Sequence, residues 1–172
     1  MKKKEYDKTT CLIPILFIIY IGLLAWSILF KLQFSISQLD TVRSINLIPF
    51  YYKNEVNLTF HLKEVIENIA IFVPFGIYLC MFKHEPGLKI KVVIIIVASL
   101  ILETTQYIMA IGRTDITDLI TNICGGLIGI GLHWLLVKIV SSERKADFII
   151  TILASVVTIM VVGSLAAILI SN

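Results

Sequence analysis

Residues 99–131 read SLILETTQYIMAIGRTDITDLITNICGGLIGIG, and their spacing decides the fold. The stretch predicts two membrane-spanning helices joined by a turn near Gly112. Ser99, Glu103 and Gln106 recur at helical spacing and share one face of the first helix. On the second, Asp118 and Asn122 stand four apart and lead into Gly125 and Gly129. A short turn makes the two helices antiparallel neighbours. Counting outward from Gly112 then places Glu103 level with Asn122, and Gln106 level with Asp118. Glu103 and Asn122 fall roughly 10–15 Å from the turn at about 1.5 Å per residue. A carboxylate in hydrocarbon costs about 2.5–3.5 kcal/mol even on lenient scales, so such residues face a partner or a wet cavity.

Composition agrees with a membrane protein. Of 172 residues 58% are hydrophobic and 16% charged, with a mean hydropathy of +0.92, against roughly half and a quarter for soluble domains. The class expected is all-α, a polytopic bundle of about five transmembrane helices forming one domain over 1–172. No basic groove, zinc pattern or nucleic-acid motif is present, so nucleic acid is not an expected partner. Cys11, Cys80 and Cys124 lie in apolar surroundings and read as small buried residues rather than a disulfide or metal set.

The expected spans cover 11–32, 64–82, 90–110, 116–137 and 148–170. The first is too long, and ends in residues too bulky, for a cleaved signal peptide. Between it and the second lies the longest polar connection, with NLIPFYY at 46–52, an aromatic and apolar composition suited to a bilayer interface or a lid folded over the helices. Pro74 and Gly76 sit mid-span in the second helix, where Pro74 leaves a carbonyl near Ala70 to be satisfied by neighbours or opens a cavity. The fifth span reads as packing only.

Lys2, Lys3, Lys4, Lys8, Lys83, Lys89, Lys91, Lys138, Arg144 and Lys145 fall on one side of the membrane. Arg43, Lys53, Lys63 and Arg113 fall on the other, with Lys31 near the outer end of the first span. The positive-inside rule makes the first side cytoplasmic. The N-terminus is then on the cytoplasmic side, and the long loop, the Gly112 turn and the C-terminus are outside.

That topology gathers Glu67, Asn68, Glu103, Gln106, Asp115, Asp118 and Asn122 into the outer leaflet, beneath the loop carrying Asn46. Each also has a plainer reading. Thr114 or Asp115 suits a helix N-cap, and Asp118 the first turn after it. Gln106 and Asn122 suit interhelical hydrogen bonds. Arg113 is the lone cation at the turn, free to pair with Asp115 or meet an anionic headgroup. His61 and His133 read as isolated, one in a solvated loop and one interfacial. No histidine supports a metal set of Glu67, Glu103 and Asp118, and no metal or cofactor is expected.

The phrases LFKLQ (29–33), NLIPF (46–50), ENIAIFVPFG (67–76) and ETTQYIMAIGRTDITDLITNICGGLIG (103–129) resemble the VanZ family of small bacterial membrane proteins. They occur in the expected order over most of the first four spans. The matching motif residues are Asn46, Pro49, Glu67, Asn68, Pro74, Gly76, Glu103, Gln106, Asp115, Asp118, Asn122, Gly125 and Gly126. The resemblance implies a role in low-level resistance to glycopeptide antibiotics, teicoplanin in particular, without altering the peptidoglycan precursor's terminus.

Two functions follow as expectations. One is a binding protein whose outer-leaflet pocket, lined by Glu67, Asn68, Glu103, Gln106, Arg113, Asp115, Asp118, Asn122 and Asn46, holds an anionic or amphipathic envelope lipid, a lipid-linked cell-wall precursor or the drug. The other is an intramembrane enzyme in which Glu103 with Glu67 or Asp118 forms an acid/base pair, although no nucleophile motif accompanies them.

Overall fold

The computed structural model describes residues 8–30, 43–51, 58–82 and 84–171. The elements run α1 (Lys8–Phe30), β1 (Arg43–Asn46), α2 (Leu58–Met81), α3 (Leu88–Met109), β2 (Gly112–Asp115), α4 (Ile116–Val140) and α5 (Glu143–Ser171). All five helices contain stretches long and apolar enough to cross a bilayer. Much of the connection at 33–42 and 52–57, the basic tail at 1–7 and the LFKLQ residues 31–33 lie outside the described residues.

The helix ends follow local chemistry. Gly87 supplies an extended N-cap for α3, and Asp115 caps α4 by accepting the Thr117 N–H. α3 stops where Ala110 turns left-handed (φ 56°) and its N–H returns to the carbonyls of Gln106 and Tyr107. The sequence suggests Gly112 for this reversal, yet no described glycine has positive φ. α2 begins at Leu58, earlier than expected, so His61 is helical rather than in a loop and sits 3.5 Å from Glu64.

The parallel helices α2 and α4 meet backbone to backbone. A Cβ on Gly76 would overlap the Gly126 carbonyl. One on Gly125 would overlap the Ile69 carbonyl, and one on Gly129 the Val73 carbonyl. Ile95 of α3 closes over Gly126. Around this seam Leu24, Ile28, Phe72, Phe75, Leu79, Ile95 and Leu102 form the main core. A second cluster, Ile13, Leu16, Tyr78 and Met81, receives Ile150 and Ala154 of α5. Pro74 cannot donate to the helix ladder; one residue beyond the carbonyl it leaves, Ile71 O accepts the Tyr20 hydroxyl of α1 at 2.6 Å.

The connection between α3 and α4 is not the tight turn expected. β2 runs back alongside α3, paired in parallel with β1 so that Asn46 stands opposite Asp115. An extended strand advances about 3.3 Å per residue, against about 1.5 Å in a helix. Four strand residues therefore retrace the last turns of α3. Thr114 Oγ1 donates to the Glu103 carbonyl (3.1 Å), and the Asp115 N–H donates to Glu103 Oε2 (3.3 Å). α4 starts level with Glu103. This shifts the expected register by one turn: Asn122 donates to Ser99 Oγ at 3.0 Å instead of lying opposite Glu103.

Three substitutions test this fold by SDS-driven or thermal unfolding in detergent. Gly129→Ala forces a methyl into the α2 backbone and is expected to cost about 1–3 kcal/mol. Gly131→Ala, which meets nothing within 4 Å, is expected to be neutral or stabilising by up to roughly 1 kcal/mol. Ala110→Gly relieves a left-handed alanine and should stabilise by about 1 kcal/mol.

Candidate functional site

Polar groups meet where the β1–β2 ribbon touches the N-terminus of α4. Asn46 Nδ2 donates to Asp115 Oδ2 (2.9 Å), while its Oδ1 accepts the Ile48 N–H (3.1 Å). Asp115 Oδ1 accepts the Thr117 N–H (2.8 Å), and Thr117 Oγ1 accepts the Phe50 N–H (3.0 Å). These bonds clamp the NLIPF segment onto the start of α4. Leu47, Ile48 and Phe50 then present exposed apolar side chains beside the ribbon.

Behind the ribbon the sites of α2, α3 and α4 converge. Asn68 Nδ2 donates to Asp118 Oδ1 at 2.7 Å. Gln106 Nε2 donates to the Ile28 carbonyl of α1 at 2.9 Å. Ser99, Glu103 and Gln106 share the buried face of α3, with Glu103 4% exposed and Gln106 6%. Asn122 is 1% exposed. Non-helical backbone at membrane depth is tolerated where protein groups or a wet cavity answer its N–H and C=O groups, and here Glu103 and the paired strands do so.

The structure thus brings Asn46, Asn68, Glu103, Gln106, Asp115, Asp118 and Asn122 to one end of the bundle. Glu67 does not join them. Its side chain is 62% exposed and lies 3.6 Å from Lys63. The reason is helical phase. The face of α2 against α4 is set by Ile69, Phe72, Val73 and Gly76, and Glu67 sits roughly 200° before Ile69 at 3.6 residues per turn. The expected contact of Arg113 concerns a side chain outside what the structure describes. Among the described residues, no group of three His, Cys, Asp or Glu side chains is placed to hold a metal ion.

A second polar cluster escapes the sequence reading. At the opposite end of the bundle, Lys91 Nζ donates to Cys80 Sγ at 3.1 Å and pairs with Glu85. His133 Nε2 lies 3.0 Å from Asp147 Oδ1 of α5. Lys91 is therefore a buried group, and His133 is paired rather than isolated. α5, expected to contribute packing alone, also supplies Asp147. A signal existed: Cys80 follows Gly76 by four residues, and His133 follows Gly129 by four. The glycine seam that joins α2 to α4 carries both side chains inward.

Residues 17–137 match the VanZ/LLP1 family, which spans every element from most of α1 through almost all of α4, ribbon included. The chain belongs to that family. It is 40% identical over 134 residues to Protein VanZ of Enterococcus faecium, covering 77% of this chain and 79% of that protein. No solved structure matches it. With its five apolar helices, this VanZ/LLP1 member is a multi-pass membrane protein. The ribbon-end residues all fall inside the matched span, whereas Asp147 falls beyond it.

Asp115 is the joint of the ribbon end, since it caps α4 and holds Asn46. Asp115→Ala is expected to lower stability by about 1–3 kcal/mol through loss of the cap and of the Asn46 acceptor. Asp115→Asn, which keeps one acceptor oxygen, should lose less. Unfolding midpoints in detergent would rank the two.

Proposed function

We propose that this protein confers low-level tolerance to teicoplanin-type glycopeptides. Its ribbon end, in the outer leaflet of a bacterial plasma membrane, forms a polar pocket for an envelope lipid, a lipid-linked cell-wall precursor or the drug itself. Similarity to Protein VanZ supports the setting. The excess of Lys and Arg on the opposite loops supports the orientation, with the N-terminus inside and the C-terminus outside.

The observation that carries the reading is Glu103. A carboxyl group within a span is costly, and this one is buried with only a backbone N–H as its identified hydrogen-bond donor. The bond to Asp115 fixes the side chain, but a neutral residue could pack there without the desolvation penalty. The apolar apron of Leu47, Ile48 and Phe50 beside it suits a partner with a hydrocarbon or aromatic part.

The test is drug susceptibility of a sensitive bacterium expressing tagged wild type, Glu103→Gln, Asn122→Leu or Glu67→Gln at matched membrane abundance. Wild type should raise teicoplanin tolerance severalfold. Glu103→Gln and Asn122→Leu should lose that gain, and Glu67→Gln should keep it. Full protection by Glu103→Gln and Asn122→Leu would make the cluster structural, and no protection by wild type would remove the resistance role.

A further inference from the structure

The hydrogen-bond inventory of the ribbon end is lopsided. The carboxamide N–H groups are used inside the protein: Asn46 to Asp115, Asn68 to Asp118, Asn122 to Ser99 and Gln106 to the Ile28 carbonyl. Two carbonyl oxygens, Asn122 Oδ1 and Gln106 Oε1, are buried with no partner among the described residues. Both side chains are more than nine-tenths buried. A buried acceptor without a donor costs about 1–3 kcal/mol, and native structures leave few of them.

Glu103 lies between the two. Gln106 is three residues further along the same face of α3. Asn122 hydrogen-bonds Ser99, four residues back on that face. A carboxylate thus has an unanswered carboxamide oxygen about one turn to either side. The feature that would otherwise draw an anion, the N-terminus of α4, is partly taken up: Asp115 Oδ1 takes the Thr117 N–H and Glu103 takes the Asp115 N–H. A phosphate or carboxylate entering here would meet acceptors. A group that brings several N–H donors and a positive charge would answer them.

We propose that the ribbon end takes the primary ammonium group of an amphiphile, held by Glu103 together with one of the two open carboxamide oxygens, Gln106 Oε1 on the same face of α3 or Asn122 Oδ1 from α4. This rests on the reading of that end as a binding site. An ammonium carries three donors and a compact charge. The exposed Leu47, Ile48 and Phe50 beside the pocket give the amphiphile's apolar part a surface to rest on, which a bare metal ion would not need. The amine can belong to a lipid headgroup or to a soluble molecule; the chemistry is the same.

The full-length protein in neutral detergent is heated in ethylammonium, tetramethylammonium or sodium chloride at equal ionic strength, with unfolding followed by tryptophan fluorescence. Ethylammonium should raise the midpoint by about 3 °C over tetramethylammonium, which has no N–H. Sodium should match tetramethylammonium. Glu103→Gln, which keeps the shape of the side chain, should abolish the ethylammonium increment, and Glu67→Gln should retain it. In nanodiscs, a Glu103-dependent rise with phosphatidylethanolamine over phosphatidylcholine would assign the amine to a lipid; a rise with the free amine alone would assign it to a soluble ligand.

Equal midpoints in all three salts, a sodium-specific rise, or Glu103-dependent stabilisation by phosphatidylglycerol would each overturn the ammonium assignment. The two readings fail separately. Drug tolerance that needs Glu103, with no ammonium-specific shift, would overturn the ligand chemistry and leave the resistance role standing. An ammonium shift in a protein that gives no tolerance would do the reverse.

Discussion

How closely α4 can approach α2 is set by three positions that lack side chains. Gly76, Gly125 and Gly129 let the two backbones touch, and a single Cβ at any of them would strike a carbonyl of the other helix. In hydrocarbon no hydrophobic drive separates helix from lipid, so close van der Waals contact of this kind carries association. The seam also fixes rotation. With Ile69, Phe72, Val73 and Gly76 turned toward α4, Asn68 reaches Asp118 at one end. At the other end Cys80 and His133 are carried into the interior. Both polar clusters depend on glycines that take no part in their chemistry.

The ribbon solves a second problem. A chain that retraces its path as a strand exposes N–H and C=O groups that lipid cannot satisfy. Pairing β2 with β1 covers one edge, and Thr114 and Glu103 tie β2 to the end of α3. The gain is an α4 whose first turn opens inside the bundle rather than at the surface. Its polar terminus, capped by Asp115, can then stand beside Glu103.

The five spans are legible because each is a long apolar run, and the face Ser99–Glu103–Gln106 is legible because helical spacing alone defines it. What misleads is the conversion of residue count into depth. The stretch around Gly112 contains no strand signature longer than four residues, so counting at helical rise puts Asn122 beside Glu103. The extended rise of β2 brings it to Ser99 instead. Glu67 fails for a related reason. Its neighbours Glu64 and Asn68 are polar as well, and hydropathy cannot say which side of so polar a first turn faces inward until the glycines choose. Lys91 and Asp147 lie at span boundaries, where charge reads as loop, and their inward placement follows from partners on other helices.

The two ends of the bundle satisfy their polar groups in opposite ways. Lys91 meets Glu85 and Cys80, and His133 meets Asp147, so each of these two buried side chains has an identified partner within the protein. Such a cluster ties α2, α3, α4 and α5 together without needing a further molecule. At the ribbon end Glu103 receives a backbone N–H, and the oxygens of Asn122 and Gln106 receive nothing from the described residues. Buried polarity that is internally complete is explained by folding. Buried polarity left open, on the rigid face of a helix and under a clamped loop, is explained by something the protein meets. That difference is what supports the proposal of a binding surface at the ribbon.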